Sequence, residues 1–274
     1  MMDLHIHSKF SDGDKAIPEL ISIIKEKRVD LFSITDHDSL ESIQVLQSVP
    51  NICYIPGVEM SCVDQQIKMH ILGYGISYDS PLGETCKTVQ NTRRELTLEI
   101  LEDLLKRGYV LLEDDLNDLY QNHSSCMGKV EVAKKLVHSG YASTVSDAFY
   151  GILDRYKIGN RIRRDAEQII SEIHLSGGLA ILAHPFEIVR KQKVPIDPVV
   201  DGLLPYGLDG MEVFTTKHDS LEEKYIYQLC QAKELLMSGG SDYHGPLTTP
   251  DILIGDAVKE EMISERIKQK RIQH

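Results

Sequence analysis

Short apolar runs of four to seven residues recur along the chain: DLHIH (3–7), LFSIT (31–35), ICYI (52–55), MHILGYG (69–75), LAILA (179–183), GMEVF (210–214) and LLMSG (235–239). Helix-patterned stretches lie between some of them. Pro18 opens PELISIIKEKR, whose apolar positions are Leu20, Ile21, Ile23 and Ile24, and helices are predicted over 167–176 and 220–233. This alternation predicts an α/β fold with mostly parallel strands. In the first run, Leu4 and Ile6 fall on one face and His5 and His7 on the other.

The rhythm breaks between Gly83 and Arg164, where no strand pattern occurs. TRRELTLEILEDLLKR (92–107) carries Leu96, Ile100, Leu101, Leu104 and Leu105 at helical spacing, and 129–139 and 144–154 read as further helices. Residues 84–165 are therefore expected to be a helical insertion, a lid or substrate-binding subdomain, in a main body made of 1–83 and 166–274. The closing stretch VKEEMISERIKQKRIQH reads as a charged terminal helix.

With 274 residues, 42% of them hydrophobic, the chain can bury a sizeable core. No stretch approaches the ~20 apolar residues that span a bilayer, and no apolar leader opens the chain. Cys53, Cys62, Cys86, Cys126 and Cys230 are scattered, without CxxC spacing. A reducing cytoplasm is the expected setting. A net charge of −12 disfavours a long nucleic-acid footprint.

Six of the eleven histidines lie at or just beyond predicted strands, with three carboxylates among them. His5, His7 and Asp12 surround the first, His37 follows the second and Glu59 the third. His70 lies in the fourth, His184 ends ILAHP, and Asp242 and His244 sit in GGSDYH. Strand ends of parallel α/β folds gather at one face, where active sites form. Mixed imidazole and carboxylate donors suit Mn²⁺, Zn²⁺ or Fe²⁺, and nine ligands are about right for two or three ions. His123, His138, His174 and His274 are expected on the surface, while His218 is ambiguous.

The ordered set HIH…SDG, ITDHD, PGVE, His70, LAHP and GGSDYH resembles the PHP (polymerase and histidinol phosphatase) family over nearly the whole chain. The resemblance is strongest to its stand-alone phosphoesterases, including 3′,5′-nucleoside bisphosphate phosphatases. It implies a distorted (β/α)₇ barrel with a trinuclear metal site. His5, His7, Glu59 and Asp242 would hold the first ion and Glu59, His70 and His184 the second. Asp12, His37 and His244 would hold the third. Asp36 and Asp38 would orient ligands. Mn²⁺ is the favoured metal, with Zn²⁺ or Fe²⁺ as alternatives.

Paired divalent ions lower the pKa of a bridging water, and the hydroxide attacks phosphorus in line. Glu59 and Asp242, with His218 as a proton donor, are the candidate catalytic residues. Where nucleotide-phosphatase relatives usually read GR-x-H, this chain has Gly128, Lys129 and Glu131. Lysine keeps the charge but loses bidentate phosphate binding. Arg161, Arg163, Arg164, Arg190 and His218 complete the candidate phosphate contacts. The expected reaction removes a terminal phosphate from a 3′,5′-nucleoside bisphosphate or a nucleoside monophosphate. Alternatives are a histidinol-phosphate-type phosphatase, a 5′-3′ exonuclease on short oligonucleotides, or a non-catalytic metal-binding module. The full ligand set argues against the last.

Overall fold

The computed structural model describes residues 1–121, 127–157 and 159–273. His123, Cys126 and His274 lie outside the described residues. β1 (Met2–Ile6) leads through α1 (Ile17–Glu26), β2 (Leu31–Ile34) and α2 (Glu41–Leu46) to β3 (Cys53–Tyr54). β4 (Gly57–Asp64) and β5 (Ile67–Tyr74) form a hairpin. A helical stretch follows: α3 (Pro81–Lys106), α4 (Glu113–Gln121), α5 (Lys129–His138), α6 (Val145–Asp147), a π-turn at Ala148–Ile152 and α7 (Gly159–Ile162). The chain returns through β6 (Arg164–Asp165), α8 (Ala166–Leu175), β7 (Leu179–Leu182), α9 (Pro185–Gln192) and α10 (Ile196–Leu203). It ends with β8 (Gly210–Thr215), α11 (Ser220–Lys233), β9 (Leu236–Gly240), α12 (Glu265–Lys268) and β10 (Ile272–Gln273).

The strands form two mixed sheets, ordered β1-β2-β3-β10 and β6-β4-β5-β7-β8-β9. Single parallel bridges, Ile6 to Tyr243 and His37 to Glu59, join them at two seams. Gly240 makes the first seam feasible. A β-carbon there would lie 2.4 Å from the His5 amide nitrogen, so only glycine lets β9 pass that close to β1.

The expectation of mostly parallel strands fails at β5, which runs antiparallel to both β4 and β7. Gln65 and Gln66 both adopt left-handed φ, 43° and 70°, and reverse the chain in two residues, so no crossover helix is needed. Gln-Gln lacks the Asn-Gly or Asp-Gly signature of such turns, and β4 went unpredicted. Glu59 therefore lies inside a strand, not after one. The reversal also explains His70. In an antiparallel strand an early residue reaches the end where parallel neighbours finish, and the His70 carbonyl accepts from the Ala183 amide beside His184.

α1 forms where predicted and buries Ile17, Leu20, Ile21 and Ile24. α11 matches 220–233, its start fixed by a reciprocal cap. Asp219 accepts from the Leu221 and Glu222 amides, and Glu222 accepts from the Asp219 amide. Among the described residues of 81–162 the regular elements are helices and the single π-turn. Ile100, Leu104, Val132, Leu136 and Leu153 form a hydrophobic cluster separate from the main core. The first turns of α3 join the main core through Leu82 and Cys86. The terminal stretch is not one helix. Ile263 and Ile267 are buried and the Ser264 hydroxyl accepts from the Met237 amide, which splits the segment into a 3₁₀ turn, α12 and β10. No described helix is long and apolar enough to cross a membrane.

Asp3 ties the β1–β9 seam together. Its Oδ1 accepts from the Ser241 amide at 3.0 Å, and its Oδ2 from the Ser241 hydroxyl at 2.6 Å and the Gly255 amide at 2.7 Å. Burial nevertheless pushes its pKa from 3.8 up to about 6. A carboxyl that holds its proton more tightly when folded favours folding while protonated. Its contribution is lost as pH rises from about 4 through 6. The shift corresponds to about 3 kcal/mol. Denaturant unfolding at pH 4 and pH 7 is expected to show wild type losing up to that amount relative to Asp3→Asn. A difference independent of pH contradicts this reading.

Candidate metal centre

Glu59 sits fully buried on β4 with five imidazoles around its carboxylate. Oε2 lies 3.2 Å from His5 Nε2, 3.1 Å from His7 Nε2 and 3.1 Å from His37 Nδ1. Oε1 lies 2.9 Å from both His70 Nδ1 and His184 Nε2. Asp242 Oδ1 approaches His5 at 3.4 Å and His7 at 3.3 Å. Asp12 Oδ1 lies 3.3 Å from His244 Nε2, and its Oδ2 is 3.9 Å from His37 Nε2. All nine predicted ligand residues thus converge.

Their donor atoms fall into sets lying within 4.8 Å of one another: His5, His7, Glu59 and Asp242; His7, Asp12, His37 and His244; and His37, Glu59 and His70. The first set matches the expected grouping. In the other two, His7 and His37 are shared, and His184 joins through Glu59.

Protons satisfy this arrangement poorly. Among the described residues, His37 Nδ1, His70 Nδ1 and Asp12 Oδ1 are buried without a well-formed hydrogen bond, although each lies within 3.3 Å of a cage neighbour. Burial drives His37 down to about 3. Burial also opposes charge on His7, but Asp242 and Glu59 outweigh it and hold that ring up at about 10. Burial disfavours ionised Glu59, Asp12 and Asp242, yet the surrounding imidazoles hold all three well below the usual carboxylate range. Anionic oxygens facing inward-aimed nitrogen lone pairs are the donor set that divalent cations accept. The residues fit such ions.

Backbone strain collects at the site. Asp38, His184 and Asp242 take left-handed φ values of 51°, 27° and 55°. A second layer holds the ligands. Glu212 Oε1 lies 2.9 Å from His5 Nδ1, while its Oε2 accepts from the His184 amide at 2.8 Å. One buried carboxylate therefore orients two of the candidate ligands, an arrangement common around metal-binding histidines. Asp36 grips the loop after β1, accepting from the Ser8 amide and the Ser8 and Ser11 hydroxyls, each at 2.7 Å. Asp38 accepts from the Ser61 amide at 2.8 Å and pairs with Arg93. Lys217 Nζ stands 3.1 Å from Asp242 Oδ2.

A cleft of about 390 Å³ opens beside Asp12, His37 and His70. Lys68, Arg93, Lys129, Lys157 and Arg163 line it, with Phe149 and Tyr156. Arg163 donates to the Met69 carbonyl at 2.7 Å, and its Nη2 lies 3.3 Å from His70 Nε2. Lys129 Nζ rests 4.5 Å above the Phe149 ring. A second cleft of about 400 Å³ continues past Glu59 and His184 to Lys191, Lys217 and Tyr150.

Four predicted contacts do not line these clefts. Arg161 is exposed and paired with Glu99. Arg164 lies on β6 beside Cys62. Arg190 is held by Glu222 and the Lys217 carbonyl. His218 cannot readily deliver a proton. Its Nδ1 faces the Val213 carbonyl at 3.0 Å, its Nε2 accepts from the Phe186 amide, and burial lowers its pKa. Glu131 pairs with Lys134. Sequence reasoning missed Glu212, Lys217, Lys68 and Arg93. Only Glu212 carried a signal, as the one carboxylate inside the apolar run GMEVF.

A PHP domain family model matches residues 3–178. The chain is 32% identical to the 5′-3′ exoribonuclease Rnm of Escherichia coli, across 89% of this chain and 85% of that one. It is 28% identical to a phosphoribosyl 1,2-cyclic phosphate 1,2-diphosphodiesterase of Eggerthella lenta, across 89% and 94%. It is 27% identical to a 3′,5′-nucleoside bisphosphate phosphatase of Chromobacterium violaceum, across 89% and 87%. Its fold superposes on the solved structure of an amidohydrolase from Chromobacterium violaceum with a TM-score of 0.85 at 23% identity, covering 99% and 97%. The motif match and these near-full-length relatives establish that the chain belongs to the PHP domain family of metal-dependent phosphoesterases.

Proposed function

We propose that this chain hydrolyses a terminal phosphate from a small nucleotide, a 3′,5′-nucleoside bisphosphate or a nucleoside monophosphate. The cleft carries that reading. It adjoins the ligand cage, has a volume usual for small-molecule sites, and is lined by five cations in a chain of net charge −12. Among the described residues neither Lys68 nor Lys129 forms a carboxylate ion pair within 4 Å, Asp154 acting on Lys129 only at longer range, so their charge is available to phosphate. Arg163 and Arg93 add guanidinium donors at the same wall. Phe149 and Tyr156 offer ring faces for a base. The bisphosphate phosphatase relative supports the choice.

His5, His7, Glu59 and Asp242 would hold one ion, and Glu59, His70 and His184 a second. Asp12, His37 and His244 would hold a third. Mn²⁺ is favoured by the mixed nitrogen and oxygen donors, ahead of Zn²⁺ or Fe²⁺. Bound divalent ions supply charge neutralisation at the phosphoryl oxygens and an acidified water. Glu59 keeps the two halves of the cage in register through both of its oxygens. Glu212 fixes which His5 nitrogen faces inward. Lys217, 3.1 Å from Asp242 and lining the second cleft, replaces His218 as the candidate proton donor to the leaving group.

Residues 84–165 act as the lid, since Lys129 and Phe149 face Asp12, His37 and His70 across the cleft. The main body reads as a distorted seven-stranded barrel of β1, β2, β4, β5, β7, β8 and β9. The two seam bridges support that closure. A second reading, 5′-3′ removal of nucleotides from short oligonucleotides, is favoured by the continuous second cleft and the Escherichia coli relative.

Elemental analysis of unstripped protein is expected to find two or three transition-metal ions per chain, and chelation to abolish phosphate release. Absence of Mn, Fe and Zn, with no uptake on reconstitution, removes the basis of the proposal. Glu59→Ala should eliminate turnover with the circular dichroism spectrum unchanged, and retained turnover would disprove its joint role. A panel of 3′,5′-bisphosphates, monophosphates, a short oligonucleotide and histidinol phosphate should give the highest kcat/KM for the small nucleotides. Preference for the oligonucleotide would install the second reading.

A further inference from the structure

α5 faces two ways. Val132, Ala133 and Leu136 are buried in the hydrophobic cluster of the helical stretch. Glu131 and Lys134 point instead at the loop that follows β1. Lys134 Nζ donates to the Asp12 carbonyl at 2.9 Å and the Gly13 carbonyl at 3.4 Å. It also pairs with Asp14 Oδ1 at 3.1 Å and with Glu131 Oε1 at 2.9 Å. Asp14 is in turn a knot between two loops. Its amide donates to the His244 carbonyl at 2.7 Å, while its Oδ2 accepts from the Leu247 amide at 2.6 Å and the Thr248 amide at 3.1 Å.

The ammonium of Lys134 therefore sits where three segments meet: the insertion helix, the loop carrying Asp12 and the loop carrying His244. Asp12 and His244 come 3.3 Å apart at that point. Both lie in connections outside the named strands, Asp12 in the loop that Asp36 grips and His244 just after the single Ile6–Tyr243 bridge. Lys134 is mostly buried, its side chain 13% exposed, and four oxygens surround it. Removing it leaves buried carbonyls and two facing carboxylates, Glu131 and Asp14, without a common cation.

We propose that Lys134 is a positioning residue through which the helical insertion builds the ion site of Asp12, His37 and His244. The inference rests on the reading that those three residues hold an ion. Lys134 touches neither the reacting atoms nor that ion. It fixes the Asp12 loop from outside and couples docking of the insertion to metal occupancy on one side of the cage. His5, Glu59 and His70 lie on strands, with Glu212 anchoring His5, and none of them touches Lys134.

The full chain, stripped and reloaded with Mn²⁺, provides the test. Bound Mn²⁺ is counted after desalting, and affinity is followed by electron paramagnetic resonance. His244→Ala serves as the reference for loss of this ion and His5→Ala as the reference for the other side. Lys134→Met is expected to match His244→Ala, with one ion weakened by about 10- to 100-fold and the rest held as in wild type. Lys134→Arg should restore most of it. Lys134→Met with wild-type Mn²⁺ content and affinity overturns the inference and leaves the metal reading intact. His244→Ala retaining every wild-type ion instead overturns the reading on which the inference rests. Should Lys134→Met fail to fold, Asp14→Asn approaches the same clamp from the other side. It keeps an oxygen for the Leu247 and Thr248 amides and removes the Oδ1 acceptor shared by Lys134 and the Thr248 hydroxyl. Unchanged Mn²⁺ binding in Asp14→Asn then overturns the inference.

Discussion

The carboxylate of Glu59 is the constraint around which this molecule is arranged. An ionised carboxylate taken out of water costs several kcal/mol unless charge and hydrogen bonds replace the solvent. Here the replacement comes from five imidazoles contributed by β1, its following loop, β5 and the segments after β2 and β7. Two oxygens cannot accept from five rings at once. The cage is therefore unsatisfied by protons and suited to cations. The left-handed backbone at Asp38, His184 and Asp242 shows the same priority, since local strain is tolerated where it aims a side chain or its flank inward.

Around that cage lies a ring of buried carboxylates that hold backbone amides, Asp38 pairing with Arg93 as well. Asp3 closes the β1–β9 seam, Asp36 the loop after β1, Asp38 the start of β4 and its contact with α3, and Glu212 the turn after β7. These four, out of 42 acidic residues, serve the architecture at places where sheet ladders are interrupted. The cationic cleft sits against this background. An anion entering it would meet Lys68, Lys129 and Arg163 in a protein whose overall charge repels it, so the attraction is local.

Much of this was legible beforehand. The spacing of apolar runs predicted strand–helix alternation, and the histidines and carboxylates beside them marked the cage, because a ligand must be of a particular chemical type and such types are few. Helices α1, α5, α8 and α11 formed close to their predicted spans, since 3.6-residue periodicity is a local property. The β4–β5 hairpin was not legible. Gln65 and Gln66 carry no turn signature, and their left-handed conformation is imposed by pairing of the two strands. The terminal segment misled for a similar reason, as its charged surface residues suggest helix while Ile263, Ser264 and Ile267 answer to the core.

The amino-acid sequence by itself determined the α/β class, the family and which nine imidazoles and carboxylates gather in the cage, because periodicity, motif order and donor chemistry are properties of single residues and their order. Only the tertiary structure decided which cations face the cleft. Arg161, Arg164 and Arg190 turned away to Glu99, β6 and Glu222, while Lys68, Arg93 and Lys217 turned in. A charged side chain pairs with whichever opposite charge the fold brings within a few ångströms. That proximity is set by strands and helices far apart along the chain, and no local pattern encodes it.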